Sequence, residues 1–524
     1  MKSFTIIKKN KKMKNILNVT AILAIMLVFL NSCSDEFLDK APLNELSAEG
    51  FYNTQADAEA AIGGIYGKMT ETFSGYYKWT HSVWSDMRAD NTHAGFVADF
   101  INAQLHISRA SSNEPHPYAW NENYKFIGEA NSVIDNVPGI EDPDFSEAEK
   151  NSILGQAYFL RGFCYFHLAR VFGEVPIQLS NNDNEIFKAK SSQAEVYAQV
   201  EADMLMAESL LPKEHSSNFK TRARGTKGGA QSILAKVYAE IGDYTKCAEY
   251  AGKVINSGVY ELLPTFDHLF DDQHKYNRES IFETVHVANN SNIATYASVQ
   301  MLPPGDFSQY DDPTKKGSSW TVSYHRFNTC STDLMAAFDE MGDEVRKYSS
   351  TLTVSDRSLI SEPNYGYDPD EPVSHIYKMG RSGEIFGGSN MMHLRLADII
   401  LLRAEALNAI GQTGEAITLL NQVRARVELA PTIAVSQSEV KLAILKERRL
   451  ELLVENNRYW DLQRYYNDTS AFVAYLNGLT DSSGKSLEYQ ATPDKLFAPI
   501  PQSEIDINPN LVQNPGIKRL MMIN

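Results

Sequence analysis

The stretch LRLADIILLRAEALNAIGQTGEAITLLNQVRARV, Leu394 to Val427, decides the fold. Leu394, Ala397, Leu401, Ala404 and Leu407 recur at spacings of three and four, which puts them on one face of a helix. A turn from Gly411 to Gly414 follows, and Ala416, Leu419, Leu420, Val423 and Val427 make a second stripe. Small alanines at the contact positions let two helices approach closely, and so short a turn makes them antiparallel. The stretch GGAQSILAKVYAEIGDYTKCAEYAGKVI, Gly228 to Ile255, repeats the arrangement. Ile233, Leu234, Val237 and Ile241 precede Gly242-Asp243, and Cys247, Ala251, Val254 and Ile255 follow. Both units read as tetratricopeptide-like helix pairs.

Two further pairs are expected. The segment ILGQAYFLRGFCYFHLARVF, ending at Gly173, pairs with QAEVYAQVEADMLMAESLL, which stops at Pro212. TQADAEAAIGGIYGKM pairs with NENYKFIGEANSVIDNV. The fold class is therefore mainly α, a scaffold of about four tetratricopeptide-like pairs. From Tyr260 to Asn390 the texture changes: short β-prone runs (SIFETVHVA, SWTVSY) alternate with loops such as LPPGDFSQYDDPTKKG. This is a loop-rich, irregular half containing short strands, and loops on a rigid frame are where binding usually resides.

The N-terminus carries Lys2, Lys8, Lys9, Lys11, Lys12 and Lys14, then an apolar run from Val19 to Leu30 that is too short to span a bilayer. Met13 opens a compact signal of its own and is an alternative start to Met1. Cys33 follows this run directly after the small Ser32, as lipoprotein processing requires. We expect residues 1–32 to be a signal peptide and Cys33 to be the lipid anchor, with several acyl chains holding more firmly than one. The formal charge of −17 becomes more acidic once the signal lysines leave, which excludes nucleic acid as a partner. Cys164, Cys247 and Cys330 are too widely spaced for a disulfide framework or a metal site. No Pro/Gly/Ser-rich linker divides the mature chain, so regions 33–240 and 260–524 are expected to fold as one compact body.

Six segments in order resemble the SusD/RagB family of outer-membrane nutrient-binding lipoproteins. They are Glu36–Met69, Ala157–Ile177, Arg222–Tyr244, the Leu394 helix with LNQVRAR, Ile444–Tyr465 and Leu496–Gly516. The block Glu447-Arg448-Arg449 with Glu455, Arg458, Trp460 and Asp461 is the most distinctive. The resemblance implies a tetratricopeptide-like frame with an irregular half. It also implies capture of oligosaccharide or polysaccharide for a SusC-like TonB-dependent transporter, over which the protein acts as a lid. Ser34-Asp35-Glu36 is similar to the acidic tag that sends Bacteroidota lipoproteins to the cell surface, so the expected location is the outer membrane, lipid-anchored and surface-exposed. Rival readings are an outer-membrane glycoside hydrolase, a tetratricopeptide assembly scaffold and a carrier of peptide cargo.

A pyranose presents an apolar face and a rim of hydroxyls, so its site needs aromatic platforms beside polar side chains. Two stretches offer both, and the resemblance places ligand sites in loops at these positions. FSGYYKWTHSVWSDMRADNTH brings Tyr76, Tyr77 and Trp79 beside Asp90, Asn91 and His93, and SSWTVSYHRFN brings Trp320 and Tyr324 beside Arg326. For each aromatic the competing assignment is core packing, and Trp84, Trp120, Trp460 and His167 read as core. The charged block from Glu447 to Arg464 reads as a buried ion-pair network, with Glu447, Glu451 and Glu455 four apart on a helix. No HExxH, GxSxG or Walker A sequence is present, so no catalytic residue is expected. Asp368, Asp370 and Glu371 sit close enough to consider calcium but lack the EF-hand's Gly and closing Glu. They read as a solvated loop, and no cofactor or metal is expected.

Overall fold

A computed structural model describes residues 48–71, 76–94, 98–112, 115–290, 293–294, 329–355, 372–378 and 387–515. Cys33, Trp320, Tyr324, Arg326 and the acidic loop at Asp368 lie outside the described residues. Residues Met1–Asn53 and Thr54–Asn524 are separate units. In the first, a single helical turn spans Ala48–Phe51. All that follows concerns the second.

Its longer helices are α1 (Gln55–Glu71), α2 (His116–Asn136), α3 (Glu147–Phe172), α4 (Gln193–Leu210), α5 (Lys227–Glu240) and α6 (Tyr244–Ile255). After the irregular region come α7 (Thr332–Met341), α8 (Leu396–Ala409), α9 (Thr413–Arg426), α10 (Gln437–Glu451) and α11 (Arg458–Tyr466). The protein is mainly helical. All four expected pairs form: α1 packs on α2, α3 on α4, α5 on α6 and α8 on α9. Neighbouring pairs also join, α2 to α3, α4 to α5 and α6 to α8, so the helices stack into one continuous array.

Helix ends follow from local chemistry. Ser146, Ser192 and Ser436 each accept a hydrogen bond from the amide three residues on, and Glu149, Glu195 and Glu439 reach back to close capping boxes. Gly173, with φ of 73°, ends α3 in a conformation that side chains with a Cβ rarely adopt. Three residues assigned to helical stripes fall elsewhere. Leu394 lies in strand β6 (Met391–Arg395), where it pairs with Phe282 of the strand Ser280–Thr284, Ile241 lies past the end of α5 with 49% of its surface exposed, and Val427 lies just past the end of α9.

The strands sit in the irregular half: β1 (Thr92–His93), β2 (Ser280–Thr284), β3 (Thr329–Cys330), β4 (Thr351–Val354), β5 (Val373–Ile376) and β6. One antiparallel sheet has the order β1-β3-β5-β4, and β2 pairs with β6 separately. SIFETVHVA therefore does supply a strand, while SWTVSY lies outside the described residues. Phe266, Leu269, Phe270, Cys330, Leu334, Phe338 and Ile376 bury against Leu450, Leu453 and Val454, which fastens this half to the end of α10. Cys164, Cys247 and Cys330 are free and buried.

Close approach of α3 and α4 depends on Gly162. A Cβ there would lie 2.9 Å from Met204 Cε and 3.0 Å from Asp203 Cβ. Asp203 cannot swing aside, because its carboxylate takes Arg161 Nε at 2.9 Å and Nη2 at 2.7 Å. A helical glycine costs about 1 kcal/mol relative to alanine, whereas overpacking costs about 1–3 kcal/mol. With a branched side chain the second term prevails. Gly162→Val should therefore lower the urea-unfolding free energy by about 2 kcal/mol. Gly64→Ala, where nothing lies within 4 Å of the added carbon, should leave it unchanged or raise it.

Candidate functional site

The stretch from Tyr76 to His93 runs through a five-residue π-helical turn (Tyr76–Thr80), a short helix (His81–Trp84) and β1. Tyr76 and Tyr77 are buried, and their rings meet edge to face at 5.0 Å. Tyr77 stacks on Phe163 at 5.5 Å and donates its hydroxyl to Asn123 Oδ1. Tyr76 shares a 3.0 Å hydrogen bond with His167 Nδ1. Neither ring offers an open face. The expectation that they stack on a sugar is thereby corrected: both are core residues. Trp84, Trp120, Trp460 and His167 are buried as expected. Of Trp79 only the backbone is described.

Asp90, Asn91 and His93 are likewise corrected from ligand contacts to frame. Arg458 grips Asp90 with both arms of its guanidinium, Nε to Oδ1 at 2.7 Å and Nη2 to Oδ2 at 2.6 Å, and Tyr475 donates its hydroxyl to the same carboxylate. Burial works against ionisation of Asp90, but the adjacent Arg449 and Arg458 outweigh it and hold the carboxyl well below its ordinary range. Arg449 Nε donates to Asn91 Oδ1 at 2.8 Å, and Asn91 Nδ2 donates to Asp86 Oδ1 at 2.9 Å. His93 Nδ1 lies 3.1 Å from Gln104 Nε2.

This framework holds two separated parts of the chain together. Thr92 pairs with Cys330 and His93 with Thr329 across the β1–β3 ladder. Ser331 adds a backbone bond to Asn91 O at 2.8 Å and a hydroxyl bond to Asp90 O at 2.6 Å. Thr329 is the residue immediately after the Ser318–Asn328 stretch, so the chain leaving the second aromatic stretch does so beside the first.

Beneath lies a lattice of ten charges. Glu451, at the end of α10, meets Arg395 Nη1 at 2.6 Å, Arg346 Nη1 at 3.0 Å and Arg426. Arg395 also takes Glu279 at 2.8 Å and Glu455 at 2.5 Å, and Lys378 takes Glu455 at 2.5 Å. Asp343 and Glu447 pair with Arg346, and Arg424 pairs with Glu447 at 2.9 Å. Among the described residues five acids face five bases, so their charges balance. Burial pushes Lys378 down to about 8 despite the pull of Glu455, with Arg395 adding repulsion. Glu455 lies past the end of α10 and not on it. Arg448 turns the other way, to Asp461 at 2.9 Å and Asp398 at 2.8 Å.

A cleft of about 590 Å³ opens beside this lattice, lined by Phe266, Asp267, Glu344, Tyr348, Arg426 and Glu428 among others. Tyr348 is 53% exposed, an aromatic ring beside carboxylates and an arginine. Sequence reasoning missed it because EVRKYSS is an ordinary helical run with no neighbouring aromatic.

Comparison with known proteins agrees with this architecture. Residues 279–516 match the sequence model of the SusD family, and residues 36–239 match one described as starch-binding associating with outer membrane. SusD-like protein P2 of Formosa agariphila is 29% identical over 94% of this chain and 98% of its own length. A laminarin-binding SusD-like protein of known structure superposes with a TM-score of 0.72 at 24% identity, covering 89% of this chain and all of that one. Surface glycan-binding protein A from Bacteroides uniformis gives 0.73 at 22% identity, covering 88% of this chain and 99% of its own.

Two stability predictions follow from this geometry. Glu451→Gln leaves three guanidinium groups short of a buried partner and should cost about 3–5 kcal/mol in urea unfolding. Glu340→Gln, which breaks the exposed pair with Lys446, should cost no more than about 0.5 kcal/mol. Acid should also destabilise the protein. Burial pushes His81, His93 and His116 down to about 4, while the unfolded chain titrates near 6.5. Between those values the unfolded state binds more protons, so stability falls as pH drops below about 6.5, each histidine costing roughly 2 kcal/mol at pH 5. Asp86, raised to about 6 by burial, opposes this, as do Asp203 and Glu283, but His106, His167, His215 and His393 are depressed as well, so seven histidines stand against three acids. Urea midpoints at pH 7.5 and 5.0 should therefore differ, with the lower value at pH 5.0.

The two family matches between them span most of the chain, the fold superposes on solved SusD-like proteins, and the chain belongs to the SusD family.

Proposed function

We propose that this protein is a non-catalytic, surface-exposed lipoprotein that binds oligosaccharide or polysaccharide and passes it to a SusC-like TonB-dependent transporter. The observation that carries the reading is the family match over both halves of the chain, one half to a description that names starch binding and the outer membrane. The structural neighbours named for laminarin and surface-glycan binding support a neutral glucan as the first ligand to try. Cys33 is the lipid anchor in this reading, and the acidic Ser34-Asp35-Glu36 the surface tag.

Ligand contact falls to the loops. Trp320, Tyr324 and Arg326, with Trp79, are the platform and rim residues we propose, and the β1–β3 pairing of His93 with Thr329 supports their belonging to one site. Tyr348 offers a second ring beside hydrogen-bonding groups. Capture is by C–H stacking on these rings and hydrogen bonds to the hydroxyl rim, with no bond broken in the sugar.

Native affinity electrophoresis through gels holding laminarin, starch or other polysaccharides tests this. Wild type should be retarded by at least one polymer without releasing reducing sugar. Trp320→Ala, Trp79→Ala or Tyr348→Ala should each reduce the retardation, because loss of one stacking ring weakens affinity by roughly tenfold. Reducing-sugar release would replace the binder with a hydrolase. No retardation by any polymer, and none of the variants differing from wild type, would favour peptide cargo or a scaffold.

A further inference from the structure

Among the described residues, one group of three His, Cys, Asp or Glu side chains is close enough to share a metal ion. It comprises His268, Asp271 and His274, whose ligand atoms all lie within 4.8 Å of one another. Its geometry differs from that of scattered surface histidines. The two imidazole rings lie face to face, their centroids 3.7 Å apart and their planes 11° from parallel. Asp271 is locked in place, because its Oδ1 accepts the backbone N–H of Gln273 at 2.9 Å and of His274 at 2.8 Å. Its Oδ2 then sits 2.8 Å from Nδ1 of His274. Among the described residues, neither ring nitrogen of His268 has a hydrogen-bond partner.

We propose that His268, Asp271 and His274 bind a divalent transition-metal ion. Two imidazoles and one carboxylate form a nitrogen-rich set that suits Zn²⁺ or its neighbours and disfavours Ca²⁺ and Mg²⁺, which take oxygen ligands. Tetrahedral Zn²⁺ with bonds near 2.0–2.1 Å separates its donors by about 3.3 Å. Asp271 Oδ2 and His274 Nδ1, now 2.8 Å apart, would open by about 0.5 Å to reach that spacing. Three protein ligands leave a fourth position to water or to a bound molecule. The backbone is already committed to the arrangement. His268 belongs to the 3₁₀ turn Phe266–Leu269, whose Phe266 and Leu269 are buried in the core, and His274 leads into β2. A bound ion would tie that turn to the strand. Competing thiols are out of reach, since the three described cysteines are buried.

The motif escapes sequence inspection because His-x₂-Asp-x₂-His in DHLFDDQHKY matches no familiar metal pattern. The ligand set exists only because the chain turns back on itself between Leu269 and His274.

Isothermal titration of ZnCl₂ into the full-length chain tests the proposal, with the protein purified in detergent without a polyhistidine tag and stripped with EDTA. The expected result is one Zn²⁺ per chain at micromolar affinity or better, with no heat from CaCl₂ or MgCl₂. His268→Ala and His274→Ala should each weaken binding by at least about tenfold, and Asp271→Asn by less. A second readout is thermal unfolding: Zn²⁺ should raise the midpoint of wild type and not of the His268→Ala/His274→Ala double variant. If His274→Ala melts early in EDTA, His274→Gln supplies the replacement, since it keeps a side chain able to bond Asp271. The proposal is overturned by absence of Zn²⁺ binding, by equal binding in the double variant, or by Ca²⁺ binding as tightly as Zn²⁺.

Discussion

Glu451 has no water to turn to. It is buried at the end of α10 and meets three arginines, one each from the segment after α7, from β6 and from α9. A carboxylate in that position stays charged only while all of them stay close, and they in turn stay charged only while Glu279, Glu447, Glu455 and Asp343 do. The Coulombic gain at these separations is large in a low-dielectric interior, and so is the desolvation it offsets. What the lattice fixes is therefore position more than net stability. Six stretches of chain that are separated in sequence must arrive together, or none can bury its charge.

That constraint explains how a loop-rich half can sit on a helical array without a large sheet to organise it. The strands are two to five residues long, and β1 and β3 are pairs of residues. Such short ladders contribute little alone. Their ends are held instead by ion pairs: Arg449 of α10 and Arg458 of α11 on Asp90 just before β1, and Arg395 at the end of β6 on Glu279 just before β2. The apolar cluster of Phe266, Phe338, Ile376 and Leu450 fills the space around them. The chain between these anchor points is then at liberty to vary in length and composition without disturbing the frame.

The helical pairs were legible because burial on one face imposes a period that no other requirement mimics. Ala397, Leu401 and Ala404, or Ala251 and Val254, carry that period whatever surrounds them. Boundaries were less secure: Leu394 matches the helical spacing and belongs to a strand, and Ile241 matches it and is exposed, since the stripe says nothing about where backbone bonding stops. The charged block was also legible in kind, as runs of Arg and Glu among Leu and Val have to be paired if buried. Its partners were not. Arg448 meets Asp461 and Asp398 and takes no part in the Glu451 lattice, which follows from which side each neighbouring helix occupies.

The binding stretch shows the deeper difficulty. Tyr76, Tyr77, Asp90 and Asn91 have the composition of a sugar platform, and a sugar platform has the composition of a buried polar cluster, because both need rings beside fixed hydrogen-bonding groups. Only solvent access separates them, and access depends on elements far away in sequence: Phe163 covers Tyr77, while Arg458 and Tyr475 enclose Asp90. Tyr348 is the converse, an unremarkable helical tyrosine whose exposure comes from the cleft between its helix and the Pro264–Asp267 turn. Under the proposed function, the buried tyrosines still bear on recognition. They pack the root of that first aromatic stretch against α3, and the β1–β3 ladder holds its far end. A weak ligand such as a sugar gains most from rings that need not be ordered on binding.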